Sequence, residues 1–499
     1  MTRLLRISTG DRKSQSPAPN RLPRPQLRSV IIDDFTTKFA VFLLLGACRL
    51  KNRILFLALI TCASLNFIAC SSSGSTNGAS GLPHRVLASQ SVTTNGVFGS
   101  LVVINGDNDT LPRVSSINGG STPGFMAISP TRNFVATFDS TTNSVFAVNT
   151  STETTIGSSA GVRLLGPTSS MVLPTADFTG YAAVPSATVN GFSFQGAVQA
   201  LNFSTGSSSI IAVNGAQTVV SNSDGTQLLA FSADSDVVTV LFPAAAAPPV
   251  DTSCLTVAVN TIVSGSACAV ITNPSFSRPV SAIINGNTAY ILNCGAECGG
   301  SSNGQPAPAS VSVVDLGTLT VSQSIPVDAA TISLLSGSTL YVAGTSQDFT
   351  KNNCSGQTTA ATVCGRLDVV DLGSGTVTTT AAITDGYHDR IDMTANGQIF
   401  VGARHCTDVG DVNNPTGGEV RGCLAIYRTA DGSVVIPPDN GDVTGLQGFT
   451  TRNVEYVAEG GQLRVYDTRK DTLLINDFLP QGTIDIVGDT TDVKAIDFF

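Results

Sequence analysis

The stretch Gly124-Phe-Met-Ala-Ile-Ser-Pro-Thr-Arg-Asn133, continued by Phe134-Val-Ala-Thr-Phe-Asp-Ser-Thr-Thr-Asn143 and Ser144-Val-Phe-Ala-Val148, decides the fold. It holds three short apolar runs separated by turn residues. Each run is too short for a helix and rich in the β-branched and aromatic residues that suit a pleated surface. A version of the same unit returns every 40 to 75 residues as far as the C-terminus. Its third run recurs at 100–104, 144–148, 197–201, 237–241, 311–315, 367–371, 424–427 and 463–466. A second run lies upstream of each, as in Phe134-Val-Ala136, Tyr181-Ala-Ala183, Tyr341-Val-Ala343 and Tyr456-Val-Ala458. Polar turns such as Ser140-Thr-Thr-Asn143 separate most pairs, and a Thr- or Ser-rich fourth run such as Thr320-Val-Ser-Gln-Ser-Ile325 follows.

Four short antiparallel strands repeated along a chain are the mark of an all-β fold, a single β-propeller of four-stranded blades. One such sheet cannot bury both of its faces. Blades packed radially bury each face against a neighbour and leave only short edges at the rim. A solenoid, with shorter and more regular repeats, and a pair of β-sandwiches are the alternatives. Third runs count to eight blades, or seven if one unit has been split. Unit 1 begins at its second strand, with nothing recognisable before His84. At the other end Thr483-Ile-Asp-Ile-Val-Gly488 reads as a surplus first strand, so a C-terminal strand is expected to complete the first blade and shut the ring.

The Tyr341-Val342-Ala343 and Tyr456-Val457-Ala458 runs resemble the YVTN-type propeller repeats of bacterial surface proteins, with Ser129-Pro130 and Ser223-Asp224-Gly225 turns ahead of others. The resemblance covers about residues 84–499 and implies a bacterial β-propeller of the cell surface. The repeat's Asn is replaced here by Gly344 and Glu459, and the Trp-Asp mark of WD40 repeats is absent because the chain has no Trp.

The N-terminal region has a different character. Residues 1–49 are rich in Arg and Pro without apolar periodicity, and no Met occurs between Met1 and Met126. This suggests an extension ahead of the true translation start, with Leu50 the best-placed candidate. Lys51 and Arg53 precede an apolar run over 54–69 that ends in Ile68-Ala69-Cys70, the layout of a secretory signal over 50–70. The Cys after a small residue resembles the lipobox of bacterial lipoproteins, which implies diacylation of Cys70. Phe67 stands where Leu is usual. Leu45-Gly46-Ala47-Cys48 fits the lipobox pattern better, but cutting at Cys48 would leave a sixteen-residue apolar run at the start of the mature chain. The run over 54–69 is shorter than the ~20 residues a membrane span needs. Residues 71–83, rich in Ser and Gly, read as a flexible tether. The expected address is the outer membrane or cell surface, with the membrane met through a lipid anchor.

Charge excludes one class of partner. Eleven Lys or Arg and three Asp fall within residues 1–70, so the remainder has sixteen basic and thirty-three acidic residues and a net charge of −17. Phosphate binding needs a cationic face, so nucleic acid is not expected.

Beyond residue 70, eight cysteines fall into four local pairs: Cys254 and Cys268, Cys294 and Cys298, Cys354 and Cys364, Cys406 and Cys423. In an exported chain these read as disulfides. Metal ligation is the alternative, with Cys294-Gly-Ala-Glu-Cys298 its best location, although no neighbouring His completes a tetrahedral set. Three pairs swell the link between second and third strands in units 5, 6 and 7. They should therefore emerge on one face.

Candidate chemistry is sparse. Asp385-Gly-Tyr-His-Asp-Arg390 gathers Asp385, His388, Asp389 and Arg390 between units 6 and 7, and His405 should lie nearby. A His flanked by carboxylates can serve as a general base or metal ligand, whereas a turn stitching two blades needs the same residues. Asp408, Asp411 and Asn413 space oxygen ligands as a Ca²⁺ loop does, without the bidentate Glu. No nucleophile elbow, zinc-protease helix or phosphate loop appears, and no cofactor is implied. The reading is an envelope lipoprotein that binds a small molecule or another envelope protein through its crosslinked face. The alternative is an exported enzyme around residues 385–390, since lactonases and quinone-dependent dehydrogenases also use propellers.

Overall fold

The computed structural model describes residues 80–91, 99–112, 116–347, 364–406, 422–438 and 441–497. The signal, most of the tether, Cys48, Cys70, Cys354, Asp408, Asp411 and Asn413 lie outside the described residues.

The repeating runs fold into eight antiparallel blades around a common axis. Blade 2 shows the pattern: Pro123–Ile128, Phe134–Asp139, Ser144–Asn149 and Thr154–Ile156 pair in sequence order. The innermost strands are Asp489–Asp497, Pro123–Ile128, Ser170–Val172, Ala216–Ser221, Pro279–Asn285, Ile332–Ser336, Tyr387–Met393 and Val443–Gly448. Each touches the next, and the last touches the first, so the ring is continuous. Three blades carry an added strand at or near the rim. In blade 3, Val250–Asp251 runs parallel to Ser207–Ala212, and short strands Val162–Arg163 and Thr483–Ile484 dock on blades 2 and 8.

The core is divided among eight apolar clusters, one in each gap between neighbouring blades. Alternation along a strand is what makes this work, because successive side chains point to opposite faces. In Thr339–Thr345, Leu340 and Val342 pack toward blade 5, while Tyr341 and Ala343 pack toward blade 7. Both faces are covered, so second strands read as unbroken apolar runs; Phe134–Asp139 is buried at every position.

Closure occurs in the first blade as expected, but through a different segment. Thr483–Ile484 pairs with Gln462–Asp467 in blade 8, and the closing strand is Asp489–Asp497. It lies antiparallel to His84–Ser91, from the His84–Asp497 pair to the Ser91–Asp489 pair. Val487 only brushes the first blade, where its carbonyl accepts from the Gln90 side-chain Nε2.

Candidate functional site

Links from second to third strand and from one blade to the next open on the same face of a propeller. The Cys294–Cys298 and Cys406–Cys423 crosslinks therefore sit on the face that also carries the turn before Tyr387. Contacts bear this out: the Thr345 hydroxyl donates to Gly386 O at 2.8 Å, and the His405 amide to Asp442 at 2.8 Å. Cys364 is disulfide-bonded as well. Cys254–Cys268 belongs to a third-to-fourth-strand link and lies at the opposite end of the ring.

The blade 5 insertion is compact. Cys294 and Cys298 bracket the short 3-10 turn Gly295–Cys298, whose Ala296 amide donates to Ala307 O at 2.9 Å. Gly295 has φ +62°, and a Cβ there would lie 2.6 Å from Ala307 O, so the turn packs on residues 307–308 only because it begins with glycine. This packing carries Glu297 toward blade 6, where its Oε2 accepts the Thr345 amide at 2.9 Å. A second glycine makes the room: a Cβ on Gly344 would stand 2.8 Å from that same oxygen. Burial raises the Glu297 carboxyl from 4.5 to about 8, with the Thr345 hydrogen bond opposing the rise.

Glu297 borders a cavity of about 500 Å³ between blades 5 and 6. Its walls are mainly apolar, supplied by residues such as Pro306, Pro308, Pro326, Val327 and Ala329. Among the described residues, the ionisable side chains lining it are Glu297 and Asp328, both acids. The Asp328 amide donates to buried Asp368 at 2.6 Å, and Arg366 acts electrostatically on both carboxylates. Sequence reading missed Glu297 as a site residue. The signal was there, an acid held between two crosslinked cysteines.

The cluster anticipated at 385–390 separates. The Arg390 Nε donates to Thr444 O of blade 8 at 2.6 Å, and Asp389 accepts from the Arg404 guanidinium while also facing Arg390. Burial pushes Asp389 up, and the two arginines pull it back. These three therefore form an ion-paired stitch between blades 7 and 8. His388 is elsewhere: it is 0% exposed, and its Nε2 lies 2.9 Å from Thr384 O, which fixes the proton on that nitrogen. Its Nδ1 is buried with no hydrogen-bond partner. Burial lowers His388 from 6.5 to about 4, with Asp385 a smaller opposing influence, so the ring is neutral. His405, at φ +53°, stands on the surface with an 86% exposed side chain beside Asp442. Tyr387, at the start of the Tyr387–Met393 strand, is half exposed. Among the described residues no group of three or more His, Cys, Asp or Glu is placed to hold a metal.

Further along the axis lies a second charged group. The Asp392 carboxylate accepts the Gly448 amide at 2.9 Å and faces the fully buried Glu455. Lys494 donates to Asp492 at 3.1 Å, and Asp492 accepts the Met126 amide at 2.6 Å. Burial, then Asp392, holds the Glu455 carboxyl far above its usual range. The interactions tie blades 7, 8, 1 and 2 together around the channel.

The fold and its crosslinked, cavity-bearing face define the class: an eight-bladed, disulfide-containing β-propeller. No protein-family profile matches the chain, and no curated protein matches it. Solved structures that align with the chain include hydrazine synthase of Kuenenia stuttgartiensis, at 14% identity and a TM-score of 0.40, covering 76% of this chain and 96% of that one. The periplasmic gluconolactonase PpgL of Pseudomonas aeruginosa aligns at 14% identity and a TM-score of 0.43, over 83% of this chain and 99% of that one. A chain of the mitotic checkpoint complex aligns at 10% identity and a TM-score of 0.38, over 63% and 76%.

Proposed function

We propose that this chain is an exported, lipid-anchored propeller of the YVTN type that binds a ligand on its crosslinked face. The observation that carries the reading is the cavity between blades 5 and 6, walled by the Cys294–Cys298 turn and bordered by Glu297. An apolar cleft of this size with a few converging polar groups and one strongly shifted acid is the usual form of a small-molecule site. The disulfides suit an oxidising compartment. Acylation at Cys70, followed by the Ser/Gly tether, would hold the ring at the outer membrane, since more than one acyl chain gives stable attachment. An enzyme working through Asp385, His388, Asp389 and Arg390 is less favoured, because the His388 ring is fully buried, so neither nitrogen reaches a substrate, and Asp389 is taken up by Arg390 and Arg404.

Two experiments test the reading. Small molecules released from the full-length chain, purified from its own membranes, should include one that is lost in Ala309→Phe, a substitution that fills the cavity. A set of released molecules unchanged by the filling would remove the cavity as the binding site. Cys70→Ser should shift the chain from the membrane to the soluble fraction; retention in the membrane would transfer the anchor to Cys48 or abolish it.

A further inference from the structure

We infer that the cavity between blades 5 and 6 takes a small apolar organic cation, a primary alkyl- or cycloalkylamine, with its ammonium on Glu297 and its hydrocarbon on the proline and alanine walls. The inference deepens the preceding reading and rests on that cavity being a ligand site. Three observations converge on it.

The first is placement. Glu297 is carried into the wall by a crosslinked turn, and its Oε2 accepts the Thr345 amide, so the carboxyl is pinned at the edge of the cavity. A rigidly held carboxyl needs little reordering when a donor arrives. Removal of the Cβ at position 344 is what permits this approach.

The second is the sign of the charge. Among the described residues, the ionisable groups lining the cavity are Glu297 and Asp328, and no Lys, Arg or His lines it. Arg366 influences Asp328 but does not line the cavity, and its NH1 donates to Gly365 O at 2.8 Å. An anionic ligand would meet two carboxyl groups and no cation among the described lining residues. A neutral alcohol would gain one ordinary hydrogen bond, roughly half the strength of a charge-assisted one. A metal ion is the wrong cation, because the walls are mainly apolar and no triad of ligating side chains is present among the described residues.

The third is the cost of burial. A carboxylate in an apolar wall is unfavourable without a partner, which is why burial keeps Glu297 protonated near neutral pH. An ammonium supplies that partner. Binding should then drive the Glu297 proton into solvent and leave an ammonium–carboxylate pair behind. The other groups facing Glu297 are Asp328 across the cavity and the Tyr387 hydroxyl, which burial and then Asp389 push up, with ionised Glu297 a lesser influence; Cys294 and Cys298 are crosslinked and do not titrate.

Calorimetry on the full-length chain in detergent, with cyclohexylamine and cyclohexanol as probes, decides the matter. The amine should bind at least tenfold more tightly than the alcohol. Its affinity should rise about tenfold per pH unit from 6 toward 8 and then level off. Titrations in two buffers of different ionisation enthalpy should show close to one proton released per amine at pH 6–7. Glu297→Gln should erase the preference and the proton release, while circular dichroism and the alcohol's affinity stay as in the parent chain. Equal binding of amine and alcohol, or a preference that survives Glu297→Gln, overturns the cation while leaving the cavity as a site. Failure of both probes to bind overturns the cation as well. The cavity itself then stands or falls by whether Ala309→Phe changes what co-purifies.

Discussion

Arg452 and Asp109, 343 residues apart, form a two-pronged ion pair across the seam where the ring closes, with N–O distances of 2.9 and 3.1 Å. The Tyr456 hydroxyl donates to the same carboxylate oxygen. Asp109 is 2% exposed, and the Arg452 guanidinium also stands 5.9 Å from the Phe449 ring centre. Blade 8 thus grips the link after the third strand of blade 1 with charge as well as with apolar packing. Removing one partner of a buried pair strands the other, so Arg452→Ala should cost about 3–5 kcal/mol in urea unfolding. Arg452→Ala combined with Asp109→Leu should cost markedly less than the two single changes added together. A single loss below about 1 kcal/mol would mean that the pair is solvated.

The shift in the closing strand makes a sharp contrast between two nearby apolar residues. Ile496 is fully buried between blades 1 and 2, whereas Val487 is 70% exposed. Ile496→Asp places an unpaired charge in that gap and should destabilise by about 4 kcal/mol or more, with loss of monomeric protein on size exclusion. Val487→Asp should stay within about 0.5 kcal/mol of the parent. The reverse ranking would restore closure to residues 483–488.

The reason for that misplacement lies in the chemistry of inner strands. Second strands are covered on both faces, so Tyr341-Val-Ala343 and Tyr456-Val-Ala458 announce themselves as apolar runs, and the third runs that follow such strands count to eight blades. Asp489–Asp497 instead carries Asp492 and Lys494 into the axis, where they pair with each other, and its apolar content is reduced to Val493, Ala495 and Ile496. Its composition therefore resembles a surface loop more than a strand. The cysteine pairs were legible for a local reason, since each partner lies 4 to 17 residues away in the three crosslinks whose geometry is described. The cavity was not legible, because Glu297 needs Gly344 and Thr345 of the next blade beside it, and nothing in residues 294–298 specifies that neighbour. His388 misled for the opposite reason. Flanking carboxylates in sequence suggested an acid–base group, but alternation along Tyr387–Met393 turned its ring into the blade wall.

Crosslink removal should separate stability from binding. Loop-closure arithmetic assigns about 2 kcal/mol to the four-residue separation of Cys294–Cys298 and about 3 kcal/mol to the seventeen-residue separation of Cys406–Cys423. Double Cys→Ser variants should rank accordingly in thermal melting. Ligand retention should follow the other order. Loss of Cys294–Cys298 frees the turn that holds Glu297 and should weaken binding at least tenfold, while loss of Cys406–Cys423 should leave it nearly unchanged. Equal effects on binding from the two variants would argue against the cavity.

Stability should respond to pH through two buried groups of opposite sign. His388 is held neutral, its value lowered from 6.5 to about 4. The unfolded chain takes up a proton below pH 6.5 that the folded chain refuses until pH 4, so stability present above pH 6.5 is lost on acidification, by about 3 kcal/mol in all. Glu297 runs the other way. Its value is raised from 4.5 to about 8, so the folded chain keeps a proton that the unfolded chain has released. Its favourable contribution is complete below pH 4.5 and disappears as the pH climbs through 8. Urea midpoints from pH 4 to 9 resolve the two. His388→Gln should flatten the acid decline between 6.5 and 4, and Glu297→Gln should gain on the parent chain steadily from pH 4.5 to 8. A Glu297→Gln curve running parallel to the parent over that interval would mean a carboxylate already ionised and hydrated. The cavity would then have no stored proton to exchange for a cation.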